Sequence, residues 1–454
     1  MFLVLAVGTL TVGLLPGCKP SAHVPDQTLV LAPPAPPDDS RQGTNLATPP
    51  KDAIVFDLKY LVQRGGANEI SYHSYWGFGS SQEEANKQPF IQAVQKRVGK
   101  ISYVNNGALK GREWSALELD GKKILALYFD VNGDGKLSDN ERLLPNKIVD
   151  GDGAMFITPD FTTTLPDGRQ VLFRALLEAR FYSGNSEPNC MWSPACLLSG
   201  TSTINGKPAQ LLLFANGFSG EFSRYGSCSH AILLGEKVLK TEYVPRETLS
   251  SLIHCEDQFY HLQFDGQRAS GHPARAILTR DANPTGSLVP KLLTAKPVET
   301  TFNNLYIQGA EDKTIYFNLR NAKEKLPKGA YVIQRGYFSF GPASGLMYEA
   351  NFTQGPKVSV AADKPTEVVL GEPTLVVRAI KESERYAQSP TNTTVFKKGT
   401  RLYFEPQIVG RNKELFSGFK NRKTDKDNWV NTPPQVTITG PDGKVLLTKT
   451  MEYG

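Results

Sequence analysis

The sequence is dominated by short runs of β-branched and aromatic residues that are bounded on both sides by glycine, proline, asparagine or aspartate. Examples lie at residues 124–129, 210–214, 314–319, 366–370 and 435–439. Runs of this length and composition suit the pleated surface of a sheet and predict strands. Only residues 90–98 and 246–254 indicate short helices, from apolar spacing or a preceding proline. With 40% apolar and 21% charged residues in a chain of 454, the sequence predicts a mostly β protein of several domains.

The amino terminus has the features of an export signal. Residues 2–17 are apolar and uncharged, but this stretch is shorter than the ~20 residues of a membrane-spanning helix. It ends at Leu15-Pro16-Gly17-Cys18, which resembles the lipobox of bacterial lipoproteins. The resemblance implies a signal peptide over residues 1–18 and a lipid anchor on Cys18 that attaches the protein to a membrane. A plain secretory signal or a short membrane anchor is the alternative.

The segment that follows the lipobox is unsuited to folding. Residues 19–50 are rich in proline and in small polar residues. Such a segment cannot bury enough apolar surface to offset the entropy lost on ordering, so it predicts a disordered tether.

Four further cysteines lie close together in the sequence: Cys190, Cys196, Cys228 and Cys255. An even number in an exported chain favours two disulfides, with three ways of pairing them. A zinc site that includes His230 and His254 is an alternative, although the Cys-x2-Cys spacing of structural zinc sites is absent. Thiols without a disulfide are the other alternative.

The clearest chemical motif is DVNGDGKLSDNE at residues 130–141, which fits the EF-hand calcium-loop pattern at every specified position. Calcium takes oxygen ligands, and a glycine at the sixth position permits the sharp bend around the ion. The candidate ligands are the side chains of Asp130, Asn132, Asp134, Ser138 and Glu141 and the backbone carbonyl of Lys136. Three carboxylates repel one another without metal, so we expect calcium binding and loop ordering to be coupled. An acidic surface turn that mimics the motif is the alternative.

The residues around this motif depart from a helix–loop–helix. A strand-like run precedes it, and Pro145 follows it closely. We therefore expect an inserted EF-hand-like strand–loop–short-helix site that holds one Ca²⁺.

The sequence also suggests related units along the chain. Residues 115–138 and 200–223 match at a constant offset of 85, but the second copy has Ala215 and Gly226 where the first has ligand carboxylates. Residues 326–331 resemble the turn-into-strand of prealbumin-like sandwiches, and the last segment resembles an Ig-like sandwich. We expect tandem β domains: a β-rich domain with the calcium loop (51–165), a related β domain with the cysteine cluster and a degenerate loop (166–295), a small β-sandwich (296–371) and an Ig-like β-sandwich (372–454).

The arrangement as a whole resembles uncharacterised bacterial lipoproteins with an EF-hand-type calcium loop in β-rich repeat domains. That family has no established activity, so the resemblance implies an architecture and no substrate. We expect a calcium-binding lipoprotein of the cell envelope, periplasmic or surface-facing, that acts as a structural or binding module without catalysis. An envelope hydrolase, or a glycan-active or adhesive protein with an envelope glycan or protein as partner, is the alternative. A net charge of +6 without a concentrated basic face argues against nucleic acid as a partner.

Overall fold

The computed structural model describes residues 48–62, 100–105, 114–149, 153–165, 167–182, 188–215, 220–235, 244, 246–293, 298–320, 324–341, 348–371, 374–381, 401–423, 428–431, 435–439 and 445–450. The predicted signal peptide, Cys18, the predicted tether up to residue 47 and the predicted helix at 90–98 lie outside these residues. Within them no helix has the length and apolarity that a membrane crossing needs. The predicted mostly β class is confirmed, because strands account for nearly all the regular structure in the described ranges.

The strands up to residue 234 are β1 (Ile54–Asp57), β2 (Lys59–Val62), β3 (Lys100–Asn105), β4 (Trp114–Asp120), β5 (Lys123–Phe129), β6 (Arg142–Leu143), β7 (Lys147–Val149), β8 (Gly153–Ile157), β9 (Phe161–Thr164), β10 (Gln170–Phe173), β11 (Ala175–Arg180), β12 (Asn189–Pro194), β13 (Cys196–Ile204), β14 (Lys207–Phe214) and β15 (Ser229–Leu234). A 3₁₀-helix of three residues, Asp139–Glu141, lies between β5 and β6.

The later strands are β16 (Glu247–Thr248), β17 (Leu252–Cys255), β18 (Gln258–Gln267), β19 (Pro273–Arg280), β20 (Thr285–Leu293), β21 (Glu299–Gly309), β22 (Tyr316–Leu319), β23 (Lys325–Pro327), β24 (Gly329–Gly341), β25 (Tyr348–Thr353), β26 (Lys357–Val360), β27 (Pro365–Gly371), β28 (Thr374–Lys381), β29 (Leu402–Val409), β30 (Leu415–Lys423), β31 (Asn428–Asn431), β32 (Gln435–Thr439) and β33 (Val445–Thr450).

The strands up to β19 form small antiparallel sheets around one buried cluster. Their orders are β3-β4-β5-β6, β12-β11-β8-β7, β16-β15-β14-β13-β2, β1-β19-β18-β17 and β10-β9. Alternation places the apolar side chains inward, as in β11, where Ala175, Leu177 and Ala179 are buried and the residues between them are not. The buried cluster extends in sequence from Phe56 to Leu278 and includes large side chains such as Phe129 and Trp192.

Strands β20 to β31 surround a second core, and β32 and β33 pair in a two-stranded sheet of their own. A nine-stranded sheet has the order β22-β21-β24-β25-β30-β29-β28, with β26 added to β24 and β31 added to β30. A three-stranded sheet, β23-β20-β27, includes a parallel pair between β20 and β27. The buried residues of this core extend from Leu288 to Phe416.

The two cores are in contact through β22. The ring of Phe317 packs edge-on against Phe259, with centroids 5.7 Å apart. The backbone N–H of Tyr316 donates to the hydroxyl of Ser250 at 2.9 Å. A side chain at Gly226 would overlap the ring of Tyr316, because a Cβ there would lie 2.5 Å from it.

Two local predictions are corrected by the structure. Residues 246–254 hold the short strands β16 and β17, not a helix, because β16 pairs with β15 and β17 pairs with β18. The short helix expected after the calcium loop is only the 3₁₀-turn Asp139–Glu141, because Arg142 already pairs with Tyr128 in β5.

The predicted disulfides among Cys190, Cys196, Cys228 and Cys255 are absent: each is a buried thiol. The four lie in or next to strands of three different sheets, and three of the thiols have nearby backbone carbonyls as partners. The Cys228 thiol donates to the carbonyl of Glu221 at 3.0 Å, and the Cys196 thiol to that of Arg174 at 3.4 Å. They therefore behave as small core residues.

Candidate calcium-binding loop

The loop from Asp130 to Glu141 is held at both ends by one strand. It leaves the end of β5, and the chain returns as β6, which pairs with β5 through Leu127–Leu143 and Tyr128–Arg142. Arg142, directly after the loop, also makes a 2.8 Å ion pair with Glu118 on β4. The local fold therefore fixes the distance between the two ends of the loop.

Asp130 lies at the entrance of the loop and is 3% exposed. Its Oδ1 accepts the N–H of Gly133 at 2.6 Å, and its Oδ2 accepts the N–H of Gly135 at 2.9 Å. Both glycines have φ of +76°, in the left-handed region that side chains with a Cβ rarely adopt. The glycine at the sixth loop position therefore makes the bend that the sequence predicts.

Asn132 and Asp134 shape the outer turn of the loop. The Oδ1 of Asn132 accepts the N–H of Asp134, and the Oδ1 of Asp134 accepts the N–H of Lys136, both at 2.8 Å. These are two consecutive Asx turns, in which a short polar side chain caps the backbone two residues later. All three residues are exposed.

Glu141 closes the loop and is 4% exposed. Its Oε1 accepts the N–H of Val131 at 3.0 Å, and its Oε2 accepts the N–H of Ser138 at 3.0 Å. The Ser138 hydroxyl lies 2.7 Å from the same Oε2 and 2.6 Å from Asn140 Oδ1, and its one proton serves one of them at a time. Glu141 therefore links the end of the loop to its beginning.

The candidate ligand atoms are all oxygens, the ligand type that Ca²⁺ takes in proteins. The side-chain oxygens belong to two buried carboxylates, one exposed carboxylate, an amide and a hydroxyl. Leu137, which is 4% exposed, anchors the loop in the apolar interior. Among the described residues, however, no group of three or more His, Cys, Asp or Glu side chains lies close enough to hold a metal ion. The structure brings Glu141 against the first residues of the loop and leaves Asp134 on the outside.

The second copy of the motif lacks these features. Ala215 is buried at the end of β14, and Gly226 lies against Tyr316. Its hairpin also has a different register: Ser115 faces Phe129 in the first copy, whereas the corresponding Gly200 faces Leu211 in the second.

A buried polar cluster was missed by the sequence analysis. Arg174, 1% exposed, donates from Nε and Nη2 to the two carboxylate oxygens of Asp160, both at 2.8 Å. The hydroxyl of Tyr60 donates to Asp160 Oδ1 at 3.0 Å, and its ring stacks on His272. Burial raises the pKa of Tyr60, and it raises the pKa of the neighbouring Cys196 thiol to about 12. These residues are far apart in the sequence, and the only local signal is an arginine next to the apolar strand β10.

Comparisons with known proteins add nothing to this geometry: no protein-family model, no curated protein and no solved structure matches the chain.

Proposed function

We propose that this chain is a calcium-binding protein of the cell envelope, in which the loop from Asp130 to Glu141 holds one Ca²⁺ and the protein acts as a structural or binding module without catalysis. The observation that carries the proposal is the pair of buried carboxylates, Asp130 and Glu141, at the two ends of a loop whose own backbone N–H groups fix both of them. Asn132, Asp134, Ser138 and the carbonyl of Lys136 complete the proposed ligand set.

Calcium would supply positive charge between carboxylates that otherwise repel one another. In the structure, four backbone N–H groups donate to these carboxylates and supply part of that positive charge: those of Val131, Gly133, Gly135 and Ser138. Full coordination requires Asp134 to turn inward and Glu141 to exchange its Ser138 donors for the ion. The expected consequence is a stiffer connection between β5 and β6.

The proposal is tested by the calcium dependence of unfolding in urea. With a dissociation constant of ~10⁻⁴–10⁻³ M, typical of extracellular modules, about 5 mM Ca²⁺ raises the free energy of unfolding by about 1–2 kcal/mol. Asp130→Asn should abolish that increase. Asp139→Asn, which removes an exposed carboxylate of the same loop, is the matched control and should keep it. Equal stability of the wild type in calcium and in chelator would rule the site out.

Membrane attachment through Cys18 is the second part of the proposal, and it is supported by the lipobox-like sequence alone. Expressed from the full sequence in a bacterium, the protein should fractionate with membranes and carry a lipid on Cys18 by mass spectrometry. Cys18→Ser should move it to the soluble fraction. An unmodified cysteine in a released protein would favour a plain secretory signal.

The arrangement in tandem domains also belongs to the proposal, with the expected sandwiches at residues 296–371 and 372–454 joined in one nine-stranded sheet by the pairing of β25 with β30. The separate core from Leu288 to Phe416 supports an independent carboxy-terminal part. Limited proteolysis should cut first at the exposed residues 282–284, between β19 and β20, if this part is a domain.

A further inference from the structure

The sheet formed by β21, β24 and β25 has two unlike faces. One face packs into the second core with buried apolar side chains such as Leu305, Ile333 and Phe352. On the other face the strand register aligns two rows of side chains. One row is Asn304, Tyr337 and Asn351, and the next is Tyr306, Arg335 and Thr353. We call these six residues the outer rows.

The outer rows consist of amides, tyrosines, a threonine and an arginine, with no aliphatic side chain. Arg335 and Thr353 are exposed, and Tyr337 is 38% exposed, so the centre of the face is open to solvent. A protein interface of standard size has an apolar core, and these rows offer none. Planar amides and aromatic rings instead combine hydrogen bonding with an apolar stacking surface.

Arg335 gives this face an uncompensated positive charge. Its guanidinium carbon lies 3.9 Å from the centroid of the Tyr306 ring, which holds the planar group against the sheet. Within the described residues it makes no ion pair. A carboxylate farther along this face, that of Glu349 opposite Ser339, has Lys420 at 3.9 Å. The charge that remains therefore favours an anionic ligand.

Asn304, in the row next to that of Arg335, has a side-chain oxygen that accepts no hydrogen bond from the described residues. Its amide nitrogen donates to the Tyr306 hydroxyl at 3.1 Å. Its Oδ1 is out of contact with water and has no hydrogen-bond partner among the residues that the structure describes. A buried acceptor without a donor is costly, and a small movement of the amide toward a ligand hydroxyl would satisfy it.

We propose that the outer rows bind an extended polysaccharide whose sugars carry carboxylates. The exposed ring of Tyr337 would stack on a sugar ring, and Asn304 and Asn351 would bond sugar hydroxyls. The fork of N–H groups on Arg335 matches a carboxylate, which accepts two parallel hydrogen bonds. Nucleic acid fits less well, because its binding needs several cations along a phosphate backbone, and the outer rows offer one.

The test is a titration of the full chain with polygalacturonate and with a neutral glucan, in buffer with a chelator, so that the result does not depend on the calcium site. The expected result is binding to polygalacturonate and none to the glucan. Arg335→Gln and Tyr337→Ala should each weaken binding at least 10-fold. Arg335→Lys, which keeps the charge and loses the fork, should weaken it about 3- to 10-fold. Thermal unfolding of each variant should match the wild type.

The control is Lys122→Gln, which removes one exposed charge from the β4–β5 turn and should leave binding unchanged. An equal loss in Lys122→Gln and Arg335→Gln would show non-specific attraction to a chain of net charge +6 and overturn the proposal. So would the absence of binding to polygalacturonate, equal binding of the glucan, or an Arg335→Lys variant that binds like the wild type.

Discussion

At the scale of residues, the first core contains buried polar side chains that hydrogen-bond to one another. Arg174, Asp160 and Tyr60 come from three separate segments and meet through hydrogen bonds of 2.8–3.0 Å. A buried ion pair is weak evidence for added stability, but removing one partner strands the other charge. His230 is a second kind of buried polar group: it is 4% exposed, and burial lowers its pKa.

Replacing Arg174 by methionine should destabilise the protein strongly. The carboxylate of Asp160 would lose both guanidinium hydrogen bonds, and we expect a loss of about 3–5 kcal/mol in the free energy of unfolding. The double variant Arg174→Met/Asp160→Asn removes the stranded charge and should recover part of this loss. Urea denaturation of both variants measures the difference, and a double variant no more stable than the single one would contradict this account.

His230 should make stability depend on pH. Burial lowers its pKa from the ordinary 6.5 to about 4 in the folded protein. The unfolded state therefore binds more protons between these values. The contribution of His230 is complete above pH 6.5 and is lost as the pH falls toward 4, by up to about 3 kcal/mol.

His230→Gln should flatten this part of the profile. Urea unfolding of both proteins at pH 7.5, 6 and 5 isolates the histidine, because the carboxylates that also titrate are common to both. Parallel profiles would show that the imidazole is not kept neutral.

At the scale of elements, tight turns hold the sheets against one another. The turn from Arg268 to Gly271 joins β18 to β19 and touches β10, where the N–H of Leu172 donates to the carbonyl of Ser270 at 2.8 Å. Gly271 has φ of +80°, and a Cβ there would lie 2.1 Å from the carbonyl oxygen of Gln170. Gly121, in the β4–β5 turn, has φ of +60° with nothing within 4 Å of a Cβ.

Alanine substitutions at these two glycines distinguish the cost of a strained backbone from the cost of steric overlap. Gly121→Ala should cost about 1 kcal/mol, from the left-handed backbone alone. Gly271→Ala should cost about 2–4 kcal/mol, because the added methyl also overlaps the backbone of β10. The free energies of unfolding from urea titrations compare the two, and equal costs would mean that the contact between the turn and β10 is not maintained in solution.

The sequence predicted elements better than their partners. The strands at 124–129 and 210–214 and the bend at Gly135 follow from local composition and from the motif. Residues 246–254 carry the helix signal of a preceding proline. They form strands at 247–248 and 252–255 because pairing with β15 and β18 overrides that signal. The β4–β5 hairpin turns at residues 121–122 and has a bulge at Glu118–Leu119, whereas the β13–β14 hairpin turns at residues 205–206, so the two registers differ although the sequences match at an offset of 85.

At the scale of the molecule, the described residues form two large cores that meet at Phe259 and Phe317, and a smaller apolar cluster around Leu212 and Phe214. The proposed calcium loop adjoins the first through Val131, and the outer rows lie on the solvent face of a sheet that packs on the second. The class of fold was predictable, because alternation and turn residues are local signals. The thiol state of the cysteines was not, because disulfide pairing depends on distances between sheets that spacing does not encode. The cluster around Arg174 was also not predictable, since its members meet only in three dimensions.

The most direct test of the central claim is a calorimetric titration of the protein with Ca²⁺, beside Asp130→Ala and Glu141→Ala. We predict one bound ion per chain with a dissociation constant of ~10⁻⁴–10⁻³ M in the wild type and no binding heat in either variant. A wild type that takes up no calcium at millimolar concentration, or variants that bind it as well as the wild type, would contradict the account.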